Sequence, residues 1–174
     1  MENRATLRTT AACVAGAAFA AASAAHSQSD EQTFIKDAVQ GNIAEVQLGE
    51  LAAQRAADPD VRRFGEMLRT DHQAALQRST DLARSLQVEP PTQPATEAGG
   101  FYRGLSQLSG SQFDAAFVSR MVVAHESAIA KYSRNASSNN AAVASLVAET
   151  LPKLKAHLEA AQALQRGAPV HARH

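Results

Sequence analysis

Three histidines occupy positions where the surrounding helical pattern calls for apolar side chains, and they are the residues best suited to chemistry. Each of these histidines stands within a series of Leu, Val, Met and Ala residues that are spaced three or four positions apart. They are His72, His125 and His157. Imidazole and carboxylate are the ligands that zinc, iron, copper or manganese accept when no thiolate is available. With the neighbouring acids they make up a hypothetical site for a divalent transition metal, which comprises Glu45, Asp71, His72, His125, Glu126 and His157.

The same residues have a second interpretation that needs no metal. A single imidazole on an apolar face is usually a core residue that hydrogen-bonds to a carbonyl or a carboxylate. Histidines and acids on neighbouring helices can satisfy one another and so fix the register of an Ala-rich core. The sequence slightly favours this buried network, and both hypotheses stay open.

The composition indicates an all-α protein without affinity for polyanions. The chain has 174 residues, no Trp and only 5% aromatic residues, so its core must be built from Leu, Val, Ile and many Ala. Such a core suits closely packed helices better than a sheet. Lys plus Arg and Asp plus Glu number 17 each, so no net charge attracts nucleic acid or an anionic membrane surface.

Residues 1–27 have the pattern of a cleavable signal peptide. Arg4 and Arg8 precede an Ala-rich apolar run over residues 11–25, and small residues surround a cleavage point before Gln28. The apolar run is shorter than the roughly 20 residues that span a bilayer. We therefore predict a periplasmic or secreted protein with no membrane span after cleavage. Cys13 is the only cysteine, so the mature chain would lack a thiol.

Hydrophobic periodicity and turn residues predict four helices, over residues 31–57, 59–87, 111–135 and 141–166. The Asp58-Pro59 turn is short, since Asp is a good N-cap and Pro suits the first helical position. Residues 88–110 form a much longer connection of 23 residues, which can run back along a bundle. The prediction is a ferritin-like four-helix bundle of residues 28–166, in which this crossover joins two antiparallel hairpins. Residues 167–174 are predicted to be a disordered tail.

Local signals predict further details of these elements. Residues 88–100 contain three Pro and two Gly, too many for a helix, and a short helical piece is expected over 101–108. Residues 111–114 resemble a capping box with Asp in place of Glu. Gly41 and Gly49 are predicted to be points of close helix contact.

Counting along the helices places most of the hypothetical site at one height. Glu45 lies 13 residues before the Asp58 turn, and Asp71 and His72 lie 13 and 14 residues after it, so antiparallel packing brings them level. His157 fits less well. If the fourth helix mirrors the third about the turn near residue 138, His157 lies about 9 Å beyond the height of His125 along the bundle. Glu149 is expected closer to the height of His125.

Three segments carry a resemblance to a known family. They are FIKDAVQGNIAEVQLGELAAQRAADPDVRRFGEMLRTDHQAA, LSGSQFDAAFVSRMVVAHESAIAKY and AETLPKLKAHLEAAQAL. In their Asp-His, His-Glu and Leu-Pro-x-Leu-Lys-x-His motifs, they resemble the bacterial family called domain of unknown function 4142, over residues 32–164. The resemblance implies an exported, ferritin-like four-helix protein with no established activity. It also marks all six residues of the hypothetical site as positions of interest.

The residues do not point to a known catalytic centre. Ferritin-like di-iron enzymes use Glu-x-x-His motifs, and this chain contains none, which argues against a di-iron oxidase. Whether the protein is an enzyme is uncertain, and a non-enzymatic role is favoured. We expect an envelope or stress-related bundle, with a possible protein partner in the envelope. The alternatives are a divalent-metal-binding protein and, less favoured, a metal-dependent oxidoreductase.

Overall fold

The computed structural model describes the backbone of residues 14–167 and the side chains from residue 28 onwards. Within these residues the protein is entirely helical and has no strand, which confirms the all-α prediction. The helices are α1 (Val14–Arg55), α2 (Pro59–Ser85), α3 (Thr96–Leu105), α4 (Gly110–Arg134) and α5 (Ala141–Gln165). None of the described helices combines the length and hydropathy needed to cross a membrane. Residues 1–13 of the predicted signal peptide and residues 168–174 of the predicted tail lie outside the described residues, and residues 14–27 are described only in their backbone, as the start of α1.

The predicted apolar stripes are the faces that the helices bury. On α2 the buried residues follow a spacing of three and four, which removes one side of the helix from water. They include Val61, Phe64, Leu68, His72, Ala75 and Ser79. The inward faces of α4 and α5 follow the same rule and include one histidine each. Helix periodicity alone therefore identified most of the core.

The core consists of two apolar regions with polar residues between them. The first region includes Phe64, Phe113 and Phe117, and the second includes Phe34 and Tyr132. Between these regions, each of the four long helices contributes at least one buried polar residue. We call this set the polar layer; it comprises Asn42, His72, Ser79, His125 and His157.

Helices α1 and α2 approach so closely that their backbones touch. A Cβ atom on Gly49 would lie 2.6 Å from the carbonyl oxygen of Gly65 and 2.8 Å from the amide nitrogen of Arg69. The close contact predicted at Gly49 is thus confirmed, and Gly65 is its partner on α2. The same prediction for Gly41 is wrong, because a Cβ there would meet no atom within 4 Å.

The turn between α1 and α2 is fixed by two carboxylates. The Asp58 side chain accepts a hydrogen bond from the amide of Asp60 at 2.7 Å, so Asp58 is the predicted N-cap of α2. The expected capping box of α4 is wrong. Asp114 instead accepts hydrogen bonds from the amides of Ala57 and Asp58, at 3.1 and 2.8 Å, and so ties this turn to the start of α4. A carboxylate can cap any nearby free amide, whichever helix carries it.

The connection between α2 and α4 contains more helix than expected. Helix α3 begins at Thr96 and includes Gly99 and Gly100, which the sequence analysis excluded from any helix. The three prolines of this segment all precede Thr96, so none removes a helical hydrogen bond. Glycine inside a helix costs only about 1 kcal/mol, which packing can offset.

The glycine contact provides a paired stability test. We expect Gly49→Ala to lower the free energy of unfolding by about 1 to 3 kcal/mol, because the new methyl group would collide with backbone that cannot rotate away. Gly41→Ala should instead raise it by about 0.5 to 1 kcal/mol, because its site is open and Ala favours helix. Urea unfolding of both variants measures the difference, and equal effects would contradict the assigned contact.

Candidate metal centre

Three helices bring the histidines together in the polar layer. His72 on α2, His125 on α4 and His157 on α5 are 5%, 1% and 2% exposed. One ring nitrogen from each lies within 4.8 Å of the other two. The ring centroids are 5.3 to 5.7 Å apart. The sequence predicted each histidine from its own helical stripe, and tertiary packing makes them one group.

His157 belongs to this group, contrary to the estimate from helix heights. Its Nδ1 atom lies 3.3 Å from Nε2 of His125, whereas Glu149 pairs with Arg78 at 3.6 Å on the outside of the bundle. The estimate assumed symmetry about residue 138 and treated side chains as level with their own Cα atoms. Helical side chains lean towards the N-terminus of their helix, and those of α4 and α5 therefore lean towards each other.

Hydrogen bonds fix which nitrogen of His125 and His157 carries the proton. Nδ1 of His125 lies 2.9 Å from the carbonyl oxygen of Met121, which can only accept, so Nδ1 is the donor. Nε2 of His157 lies 2.9 Å from Oδ2 of Asp71 and likewise donates. The two remaining nitrogens, which face each other at 3.3 Å, therefore both present lone pairs when the rings are neutral.

His72 is oriented in the same way by a chain of polar groups. The Ser79 hydroxyl donates to the Leu76 carbonyl, so it accepts from the Asn42 amide nitrogen at 3.3 Å. That arrangement turns the Asn42 oxygen towards His72, whose Nδ1 donates to it at 2.9 Å. The other nitrogen, Nε2, is buried and has no hydrogen-bond partner.

The centre thus consists of three imidazoles, each with one nitrogen held by a hydrogen-bond acceptor and one lone pair left free. Metal-binding histidines show this pattern, since the hydrogen bond at the far nitrogen sets the tautomer and the ring orientation. Two nitrogens that bind one zinc ion at 2.0 to 2.1 Å with tetrahedral geometry lie about 3.3 Å apart. The separation of His125 and His157 matches this value, so the geometry suits a shared cation.

Burial keeps the imidazoles in the neutral form that binds metal. Desolvation lowers the pKa of His125 to about 4, and the nearby His157 adds to the shift. Desolvation also holds the pKa of His72 well below its usual value, and repulsion from the other two histidines lowers it further. The pKa of His157 is lowered less far, because desolvation is partly offset by the Asp71 carboxylate.

Asp71 supports the centre from outside. Its two oxygens contact His157 Nε2 and Lys153 Nζ, at 2.9 and 2.6 Å, so it orients His157 and is itself held by a cation. Desolvation raises its pKa, but the hydrogen bonds from Lys153 and His157 outweigh this and leave the pKa below its usual range. The sequence predicted Asp71 as a metal ligand, whereas the structure places it in a supporting ion pair with Lys153.

The two glutamates of the hypothetical site lie in different surroundings. Glu126 is exposed on α4, because one residue after His125 is about 100° further round the helix, and it does not join the histidines. Glu45 is half-buried, and its Oε2 atom is sealed from solvent without a hydrogen-bond partner. Desolvation raises the pKa of Glu45 to about 7, although Arg120 opposes the shift.

A cavity of about 380 Å³ connects Glu45 with the centre. His72, His125, Asn42 and Arg120 also line it, and α3 contributes part of its wall. Sequence analysis missed Asn42 and Arg120. A signal for Asn42 was present, because it is a polar residue within the stripe of Ala38, Glu45 and Leu48. Arg120 gave no signal, because nothing in its spacing separates it from a surface residue.

The family assignment follows from the whole chain. A family model described as domain of unknown function (DUF4142) matches residues 16–164. This protein belongs to the DUF4142 family. The resemblance noted in the sequence is therefore confirmed. No curated protein matches the chain.

Two solved structures from a different family share the fold of this DUF4142 protein. A DUF305 fragment from Deinococcus radiodurans superimposes with a TM-score of 0.71 at 14% identity, covering 79% of this chain and 96% of that one. A DUF305 protein from Streptomyces coelicolor, named as a candidate secreted protein, gives 0.66 at 13% identity, covering 83% and 98%. At such identities the likeness concerns the fold alone.

The buried histidines should make this DUF4142 protein sensitive to acid. A histidine whose pKa is lower in the folded state stabilises the fold fully above its unfolded pKa of about 6.5, and this contribution is lost as the pH falls. Between pH 7 and pH 5 we expect metal-free wild type to lose about 1 to 2 kcal/mol relative to His125→Leu. Chemical denaturation at both pH values measures the difference, and a constant difference would exclude the shift.

Glu45 should show the opposite dependence. Because its pKa rises to about 7 on folding, the cost of its buried charge is absent below about pH 4.5 and complete above pH 7. Glu45→Gln should therefore stabilise the metal-free protein by about 1 to 2 kcal/mol at pH 8 and much less at pH 5. The same denaturation series tests this, and a benefit that grows towards acid would contradict it.

Proposed function

We propose that this protein binds a divalent transition-metal ion through His72, His125 and His157. One observation carries the proposal: three buried imidazoles bring one ring nitrogen each within 4.8 Å of one another, while Asn42, Met121 and Asp71 each accept a hydrogen bond from one nitrogen of a ring and leave its other nitrogen free. Without a cation, the lone pairs of His125 and His157 repel each other at 3.3 Å. If these histidines formed only a stabilising hydrogen-bond network, a donor would lie opposite each acceptor.

The ligand set favours some metals over others. Three neutral nitrogens suit zinc and copper(II), whereas manganese and magnesium prefer oxygen ligands. A three-histidine site also leaves a coordination position for a further ligand, as in zinc sites that bind water or substrate. Among the acidic residues of the original hypothesis, Asp71 acts as an outer support in this proposal. Glu126 is too exposed to contribute.

We further propose a ferritin-like topology for the bundle. Gly49 meets Gly65 while Asn42 meets His72, which is consistent with antiparallel α1 and α2. The pairs Asp71–Lys153 and Arg78–Glu149 support antiparallel α2 and α5. Tyr132 clusters with Val147, and Phe117 with Ala161, which supports antiparallel α4 and α5. Helices α2 and α4 would then run parallel, and residues 88–110 would form the crossover.

Export to the periplasm or the medium is also part of the proposal. It is supported by the signal-like pattern of residues 1–27 and by the likeness to a candidate secreted protein. In an envelope compartment, a bundle with one buried site could store, deliver or sense a metal ion without catalysing a reaction. The absence of Glu-x-x-His motifs argues against a di-iron centre.

Metal ions should stabilise the folded protein by mass action. At a hundredfold excess over the dissociation constant, a ligand specific to the native state adds about 2.7 kcal/mol, which corresponds to a Tm increase of about 5 to 10 °C for a domain of this size. We expect zinc and copper(II) to produce this increase and manganese to produce less. Differential scanning calorimetry of wild type with each ion makes the measurement.

Variants locate the effect. His72→Leu and His125→Ala should abolish the metal-dependent increase, whereas deletion of residues 167–174 should leave it intact and so exclude His171 and His174 as ligands. If wild type shows no shift with any of the ions while His72→Leu loses about 1 to 3 kcal/mol of stability, the histidines form a structural network and the proposal is wrong.

A further inference from the structure

The cavity beside the histidines is larger than an ion requires. A water molecule needs only about 10 to 15 Å³ of the same kind of space, whereas sites for small molecules begin at about 300 Å³. This cavity measures about 380 Å³ and reaches the protein surface between α1, α3 and α4. It therefore has room for a small organic molecule next to His72 and His125.

Part of its polar lining lacks hydrogen-bond partners within the protein. Among the described residues, five buried side-chain polar atoms have no hydrogen-bond partner, and three of them belong to residues that line this cavity. They are Glu45 Oε2, His72 Nε2 and Arg120 Nε. Buried polar groups are costly when they stay unpaired, so this concentration indicates a ligand with complementary groups.

Arg120 determines the chemical class of that ligand. Its guanidinium lies over the ring of Phe101, 5.1 Å from the centroid, and its closest carboxylate is Glu97, at 4.0 Å and 88% exposed. So long a contact with so exposed a partner leaves the guanidinium free to bind another anion. Lys131, the other cation of the lining, is already paired with Asp37 at 2.6 Å. Arg120 is thus the available anion-binding group.

The remaining surroundings indicate a carboxylate with a short apolar chain. Much of the cavity wall is small or aliphatic, including Ala38, Ala98, Ala124, Ala128 and Leu154. Glu45 Oε2 is buried in this lining without a partner, so a protonated Glu45 side chain could donate a hydrogen bond to an oxyanion in the cavity. Arginine binds carboxylates through paired, planar hydrogen bonds.

We propose that this cavity binds a small organic carboxylate, held by Arg120 with Glu45 as a second donor, beside His72 and His125. The carboxylate site does not require the metal. Direct contact between the bound carboxylate and the ion rests on the proposed function, since only a loaded histidine centre would attract the second oxygen of the ligand.

Titration of metal-free protein with butyrate tests the site. We expect saturable binding by calorimetry or by NMR shifts of residues that line the cavity. Butyramide, which has the same shape but no charge, should bind at least tenfold more weakly. Affinity should rise about threefold to fourfold for each methylene from acetate to butyrate, because apolar surface is buried. Equal binding of butyrate and butyramide, or no saturation by butyrate, would overturn the proposal.

Matched variants assign the anion contact. Arg120→Gln should weaken butyrate binding at least tenfold, whereas Arg134→Gln, which changes an exposed arginine on the same helix, should alter it less than twofold. Glu45→Gln keeps a donor and should retain binding, and Glu45→Ala should lose part of it. Circular dichroism and Tm confirm folding of each variant. Unchanged affinity in folded Arg120→Gln would refute the assigned role.

Zinc separates this inference from the proposed function. If the histidines bind zinc, butyrate should bind more tightly to the loaded protein, and His72→Leu should remove only that increase. If wild type binds no metal yet binds butyrate through Arg120, the carboxylate site stands and the metal proposal fails. If Glu45→Gln weakens zinc binding at least tenfold and butyrate does not bind, Glu45 itself is the anionic ligand and the carboxylate proposal is wrong.

Discussion

The arrangement of this protein depends on the burial of three imidazoles whose outer nitrogens are all held by hydrogen-bond acceptors. Asn42, the Met121 carbonyl and Asp71 each accept one ring N–H, so each ring keeps one lone pair free, and those of His125 and His157 face each other at 3.3 Å. Burial adds to this constraint by disfavouring the protonated rings. Two buried lone pairs that face each other at 3.3 Å are unfavourable unless a cation or a proton lies between them.

The rest of the bundle supports this centre at some distance. Two apolar regions above and below the polar layer supply most of the buried surface, so the fold does not depend on the histidines alone. The backbone contact between Gly49 and Gly65 fixes α1 against α2 and hence Asn42 against His72. Lys153 holds Asp71 near the protein surface, and Asp71 in turn orients His157. His72 is thus positioned by a contact between α1 and α2, His157 by a contact between α2 and α5, and His125 by a carbonyl of its own helix.

The cavity connects the buried histidine centre with the protein surface. Helix α3 forms part of its wall, so the segment that links α2 to α4 also shapes the approach to His72 and His125. The sequence pattern did not predict helix at Gly99 and Gly100, because glycine disfavours an isolated helix; packing against the bundle makes these residues helical. Arg120 and Glu45 both line this cavity, and each has a buried polar atom without a hydrogen-bond partner. If this site binds both a metal ion at the histidines and an anion at Arg120, both contacts would contribute to its selectivity among ligands.

Local sequence encodes the helical class, the inward faces and the positions of the three histidines, because helix periodicity is a local property that neighbouring residues encode together. It also indicated the N-cap at Asp58 and the close contact at Gly49, since each has a short-range signal. Tertiary structure decided which polar groups meet. The membership of His157, the reassignment of Asp114 and the roles of Asn42, Lys153 and Arg120 all depend on the register between helices. That register is set by side-chain lean and by backbone contacts such as Gly49 with Gly65, which act between distant segments and leave no periodic trace in either one.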